Sequence, residues 1–473
     1  MKKPDEQKWL WWLGAFLVAG LFAAVVTENF ALLLLPFGAA VLWLALNRLD
    51  VLLLVTVALT PLSVTLKDEA FNVGLSIPSE PLLFGITLLL LFRLILGGKV
   101  NAAVANHPVS WALYFYLGWM GLTVLTSELP LVSAKHWIAR IWFIVPLFFL
   151  MVHVLMDPKR RDLFFWLYYI PLSIAAIYTL TVHSTFGFSK ETSTWVSFPF
   201  YKEHTVYGAV LAMYTPIAFY FAIRRQSLLS RIGTTSLLLL LLVALVLSYT
   251  RAAWLSVVVA AGVFVLHRLR IGLGTTVFAA LLLVVGLYLS SDQIVRSFEK
   301  NDAVSSENLG QHVQSMSNVS TDASNLERLN RWNSALRMFE ERPGVGWGPG
   351  TYQFLYAPFQ NSRDLTIIST NNGDNGNAHS EYIGPLAEQG IPGLIVVLLV
   401  IAAIFSTGFQ VLTNYRLLSD ERSYWLAVCA VLGLVTYFTH GILNNFLDTD
   451  KASVPVWGFT ALLVAMQLRN SRE

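Results

Sequence analysis

Apolar residues in this chain run on for about 20 positions at a time and are broken by short polar turns. A helix needs about 20 mostly apolar residues to cross the hydrocarbon core of a bilayer. By that measure the pattern predicts about 14 spans, near 9–26, 29–47, 50–66, 81–97, 108–126, 137–156, 162–181, 206–224, 234–250, 251–268, 273–290, 391–413, 423–443 and 453–468. Runs such as "TTSLLLLLLVALVLSY" are too long and uniform for the alternating strands of a membrane barrel. The start, "MKKPDEQKWLWWLGAFLVAG", has the look of a signal peptide, but no small-residue cleavage site is followed by a soluble domain, so it reads as a retained first span. One interval departs from the pattern: about 100 residues, 291–390, are largely polar. The chain thus divides into a membrane region of about 11 helices (1–290), a large loop (291–390) and about three further helices (391–473).

Composition agrees. Of 473 residues, 55% are hydrophobic and only 13% charged, against about 25% charged in a soluble domain, which excludes a soluble enzyme. A net charge of +3 is too small to make nucleic acid a partner. The single cysteine, Cys429, excludes an intrachain disulfide and a cysteine-rich metal site. Lys and Arg are retained on the cytoplasmic side. With the amino terminus inside, the inner segments hold 18 of the 32 basic residues and 8 of the 29 acids, leaving 14 basic and 21 acidic outside. Both termini are then cytoplasmic and the 291–390 loop faces out.

The first part of that loop, "NDAVSSENLGQHVQSMSNVSTDASN", is polar and Ser/Asn/Gln-rich, with a formal glycosylation triplet at Asn318 of the kind chance produces. From Leu326 the pattern turns helical. Leu329, Trp332, Leu336 and Phe339 form one apolar stripe, expected to be the packed side. Arg328 projects along it and Arg331 sits at its border. A guanidinium there needs an anion, either a ligand or a structural partner such as Glu327. Pro343 ends the helix, and "GVGWGPG" follows, which is neither a dinucleotide fingerprint nor a phosphate loop and reads as tight turns near the membrane surface. Then "NNGDNGNAHSEYIGPLAEQGIPGL" presents His379, a candidate general base or a hydrogen-bonded interfacial histidine. Glu381 and Glu388, seven apart on one helical face, could orient it or merely cap and solvate.

Arg251 in "LSYTRAAWLS" lies between two apolar runs at the outer boundary, where a charge is costly and marks a site unless it snorkels. Arg140 lies at similar depth, and Lys202 and His204 enter a span from the same side. Arg140, Arg251, Arg328, His204 and His379 can therefore converge on one outer cavity suited to a polyanionic lipid head such as a pyrophosphate. Asp448-Thr449-Asp450 spells a D-x-D triplet but sits in a short outer loop, and is expected to be a solvated turn, not a metal site.

His379-Ser380, nine residues and then Gly390-Ile-Pro-Gly393 resembles the outer-loop signature of the O-antigen ligase family. "SYTRAAWLS" and "ERLNRWNSALRMFEERPGVGWGPGTY" are similar to its arginine motif and its helix before a glycine-rich turn. The likeness covers about 248–395. It implies an all-α polytopic membrane protein of the GT-C type of glycosyltransferase fold, with about 12–14 transmembrane helices and one large periplasmic loop between the eleventh and twelfth spans, in a bacterial inner membrane. It implies transfer of a glycan from undecaprenyl pyrophosphate to an acceptor hydroxyl such as a lipid A-core sugar, with inversion and without a metal or other cofactor. His379 would be the base, and Arg251 and Arg328 would hold the pyrophosphate. Arg140, Arg331, Lys202, His204, Glu381 and Glu388 join them from placement alone. A Wzy-type polymerase or a protein O-oligosaccharyltransferase would use the same donor. A lipid-linked glycan flippase is the alternative of another class, although no internal repeat of the kind transporters carry is visible.

Overall fold

The computed structural model describes residues 34–68, 73–224, 227–272, 274–275, 323–362, 376–418 and 420–470, with Thr27, Leu365 and Ser369. The spans expected at 9–26 and, but for 274–275, at 273–290, and the loop up to residue 322, lie outside the described residues. The rest is a helical bundle. Leu34–Asn47 (α1) and Leu49–Leu59 (α2) lead through a 3-10 turn, Thr60–Leu62, into an antiparallel hairpin of Val64–Asp68 (β1) and Val73–Ile77 (β2). This hairpin is a small local exception within an otherwise helical chain, and it cuts short the span placed at 50–66. Then follow Ser79–Ile95 (α3), Pro108–Leu125 (α4), Pro130–Leu155 (α5), Pro158–Ser184 (α6), His204–Ile223 (α7), Leu228–Leu247 (α8) and Arg251–Arg268 (α9). Ala323–Glu341 (α10) is the loop helix; Ile383–Leu417 (α11), Glu421–His440 (α12) and Asp450–Asn470 (α13) complete the chain. Among the described residues, nine of these helices are long and apolar enough to cross a membrane.

Local chemistry sets the boundaries. Pro108, Pro130 and Pro158 open helices, where the missing N–H costs nothing. Asp157 caps α6 by accepting from the Lys159 amide at 3.0 Å. Pro146 interrupts α5 within a π-turn, Val145–Leu150. The layers follow from burial. α7, α12 and α13 are inner helices, α13 with 89% of its span buried, whereas α9 has 22% and faces outward. Trp457, Phe459, Phe164 and Tyr214 pack in that core.

The helix ends sort onto two faces. One carries Arg48, Arg160, Arg224 and Arg422, held by Asp50 and Asp162 (Arg160–Asp50 2.7 Å, Arg422–Asp162 2.7 Å). The other carries the hairpin, the α4–α5 turn, the starts of α7 and α9, the loop helix and the α12–α13 turn.

The loop helix overturns one expectation. Its buried face is Glu327, Asn330, Arg331, Ser334, Ala335 and Met338, while Leu329 and Leu336 of the apolar stripe are 38% and 41% exposed. The polar face can be buried because most of its groups are paired, the Asn330 Oδ1 being the exception among the described residues. Glu327 and Arg331 meet at 2.8 Å, Asn330 donates to Gln360 at 2.8 Å, and Ser334 donates to the Asn330 carbonyl.

Candidate active site

The glycine-rich turn is clamped to α11. Glu388 accepts from the Gly350 amide at 2.9 Å through one carboxylate oxygen and from the Tyr352 amide at 3.0 Å through the other, and its carbonyl accepts from Gly348. Gly346 (φ +67°) passes so close that a Cβ would stand 2.2 Å from the Glu388 carbonyl carbon. At Gly348 a Cβ would meet Ser127 of the α4–α5 turn at 2.0 Å. The glycines thus permit close approach to α5 and α11 as well as tight turning. Gly390 (φ 70°, ψ −168°) breaks α11 where the Ile391 amide bonds the Pro343 carbonyl at 2.9 Å.

This platform carries the histidine loop. The Asn377 side chain accepts from the His379 amide at 3.0 Å, and the Ser380 hydroxyl accepts from the Tyr382 and Ile383 amides as α11 begins. His379 takes a left-handed backbone, φ +49°, as does Tyr249, φ +50°, two residues before Arg251. Such non-glycine strain gathers at functional sites. Burial first, then the charges of Arg331 and Arg328, hold the His379 ring down at a pKa of about 3, and a hydrogen bond to the Asn444 side chain opposes them. The ring is therefore a neutral imidazole at physiological pH.

Arg328 stands at the border of the loop helix's buried face, within electrostatic reach of His204, His379 and His440. Arg251 opens α9, and the preceding Thr250 hydroxyl donates to the His204 carbonyl at 3.1 Å, which joins the starts of α7 and α9. Arg140 is buried on α5, and neither its Nε nor its Nη1 meets an acceptor among the described residues. Its electrostatic neighbours are Tyr116, Glu381, Asp448 and Tyr437. Arg331 is tied into the loop: its Nε donates to Glu327, its Nη1 to the Asn377 carbonyl at 3.2 Å, and Tyr356 lies under its guanidinium. Lys202 is exposed, with no described contact to this group.

Glu381 and Glu388 do not share a face. Glu381 precedes the helix, and one of its oxygens accepts from the Tyr437 hydroxyl at 2.5 Å and from the Phe446 and Leu447 amides at 2.8 and 3.0 Å. It fixes the α12–α13 turn, which carries Asn444 and follows His440. Both ring nitrogens of His440 are buried without a partner among the described residues. Sequence reasoning missed Asn444 and His440; the run "THGILNNF" at an outer helix end was the available signal. The D-x-D triplet is also corrected. Asp450 is buried, accepting from Ser63 at 2.6 Å and Ser79 at 2.5 Å, so it ties α13 to the hairpin and is no solvated turn. Asp448 stands at an exposed rim of the site, where crowding by the surrounding protein, helped by the charge of Glu381 and opposed by Arg140, pushes its carboxyl up to about 6.

No curated protein matches the chain. The family model described as O-antigen ligase matches residues 236–398, about a third of the length, and that interval contains Arg251, Arg328, the glycine-rich turn and His379. Over that interval the chain is similar to the O-antigen ligase family, and its nine long apolar helices among the described residues fit a multi-pass membrane protein.

Proposed function

We propose that the protein transfers a glycan from a polyprenyl pyrophosphate, undecaprenyl pyrophosphate in the family it resembles, to an acceptor hydroxyl such as a lipid A-core sugar, at the periplasmic face of the bacterial inner membrane. The observation that carries this reading is a neutral imidazole, His379, whose backbone is left-handed and which lies within electrostatic reach of Arg331 and Arg328. The base must be unprotonated to accept the hydroxyl proton; burial, then the charges of Arg331 and Arg328, keep it so, and a guanidinium is of the right charge for a phosphate leaving group.

The acceptor oxygen attacks the anomeric carbon from the side opposite the pyrophosphate, which inverts the configuration. Its proton passes to His379, and the bond from the anomeric carbon to the pyrophosphate oxygen breaks with its electron pair. Arg251 and Arg328 counter the charge that grows on that oxygen, and the buried N–H groups of Arg140 supply further donors. Donors aimed at charge that develops only in the transition state raise the rate more than uniform binding does. Arg331 acts one step away by holding the Gly376–Asn377 segment that sets His379.

Reconstitution with purified undecaprenyl-pyrophosphate glycan, no nucleotide and no added metal tests the reading. Transfer to lipid A-core marks a ligase, and transfer to a second lipid-linked unit marks a polymerase. His379→Ala should abolish either while leaving the protein folded; near-normal turnover in that variant would remove His379 as the base. Arg251→Ala and Arg328→Ala should chiefly weaken use of the donor.

A further inference from the structure

At the face opposite the active site, the start of α6, the end of α11, the start of α12 and the end of α13 enclose a cavity of about 290 Å³ lined by Arg161, Tyr415, Asp420, Ser423, Arg469 and Asn470. Arg161 is 1% exposed. Its Nε donates to the Leu155 carbonyl at 3.1 Å and its Nη1 reaches the Ser423 hydroxyl at 3.5 Å. Its Nη2 meets no acceptor, and the residue forms no ion pair among the described residues. The side-chain nitrogen of Asn470 is likewise buried and, among the described residues, without an acceptor. Two orphan groups lining one cavity are thus both donors.

Asp420 is the cavity's acid, and one of its oxygens already caps α12 through the Ser423 amide at 3.1 Å. Arg469, whose Nη1 reaches the Met156 carbonyl at 3.5 Å, adds a second guanidinium. The lining therefore carries a net positive charge. Asp420 and Tyr415 lie within electrostatic reach of Arg161, but no carboxylate pairs with it directly among the described residues; a buried guanidinium without a paired anion is unfavourable, and its planar fork matches phosphate oxygens. Leu417 and Leu418, 78% and 60% exposed, continue an apolar surface from the cavity mouth.

We propose that this cavity is a second anion site, which seats a phosphate group against Arg161, Asn470 and Arg469. The phosphate is the headgroup of an anionic lipid or a free phosphate. The adjoining exposed leucines favour the lipid, whose chains would lie along them. The proposal stands apart from the ligase reading, because none of these residues belongs to the active-site face.

The test uses the full chain, delipidated in neutral detergent, with phosphatidylglycerol, inorganic phosphate or phosphatidylcholine added, and reads the thermal midpoint and the adducts retained in native mass spectra. Phosphatidylglycerol should raise the wild-type midpoint and remain bound, and Arg161→Gln should weaken that binding at least about tenfold. Without anionic lipid, Arg161→Gln should match or exceed wild-type stability, since it removes a buried charge that makes no direct ion pair. Should that variant fail to fold, Arg469→Gln and Asn470→Leu at the cavity rim carry the same test. A response to inorganic phosphate alone assigns the site to the free anion. Equal retention of phosphatidylcholine, no response to either phosphate probe, or unchanged binding in all the variants overturns the proposal.

Discussion

Replacing Glu381 by alanine removes one carboxylate oxygen that serves three donors, the Tyr437 hydroxyl and the Phe446 and Leu447 amides. Each buried donor left without a partner costs about 1–3 kcal/mol. The three share one oxygen, so their losses overlap, and a total of about 3 kcal/mol is a conservative figure. At a factor of ten for every 1.4 kcal/mol, the α12–α13 turn should open about 100-fold more often. Hydrogen exchange reads this directly, because two of the three donors are amides: Phe446 and Leu447 should exchange about 100-fold faster, while α12 amides such as Leu434 stay protected. Glu381→Gln keeps an acceptor oxygen but loses the charge that strengthens its bonds, and should fall between, with exchange about tenfold faster. Asn444 rides on this turn, so glycan transfer should fall in the same order. Wild-type exchange at Phe446 and Leu447 in the alanine variant would refute the role given to Glu381.

Three further outcomes are expected. The His379 ring, held at about 3, keeps its basic form as pH falls from 8 through 6.5 and loses it only as pH approaches that value, so the transfer rate should show no His379-dependent inflection near 6.5; a limb at 6.5 in a pH–rate profile would contradict this. Asp448 has its carboxyl raised to about 6 and is neutral below that pH, which takes a negative charge away from the surroundings of Arg140. Both phosphates of a lipid-linked glycan donor are esterified and do not titrate there, so apparent donor affinity should strengthen as pH drops from 7 to 5 in the wild type and stay level in Asp448→Asn. Arg331→Met takes the ion-pair partner from buried Glu327, which keeps the Ser369 hydroxyl, and releases the Asn377 carbonyl, a loss of up to about 3–5 kcal/mol by the usual cost of breaking a buried pair; limited proteolysis should then cut near 376–378, and an uncut loop would count against it.

Nine of the expected spans could be read from the chain among the described residues, because a bilayer leaves a helix no alternative to about 20 apolar residues in a row. Placement of Arg140, Arg251, Arg328 and His379 toward one face followed from counting spans. What the pattern concealed has physical causes. The Leu329–Trp332–Leu336–Phe339 stripe implies a packed face only where water is the alternative, and the loop helix instead buries its paired polar face. Glu381 meets Phe446 and Leu447 across 65 and 66 residues, a contact that no local period encodes. The two orphaned arginines make the sharpest contrast. Arg140 drew attention because a charge at its depth has no topological excuse, whereas Arg161 sits in "DPKRRD", where retention of basic residues on the inner side accounts for every charge. Only packing separates the neighbours in that run. Arg160 is partly exposed and meets Asp50 at 2.7 Å, while Arg161, one residue on, is turned into the bundle with a nitrogen that no acceptor meets. A topological charge has no reason to be buried, so the orientation of Arg161 calls for a ligand, and charge counting alone would have missed it.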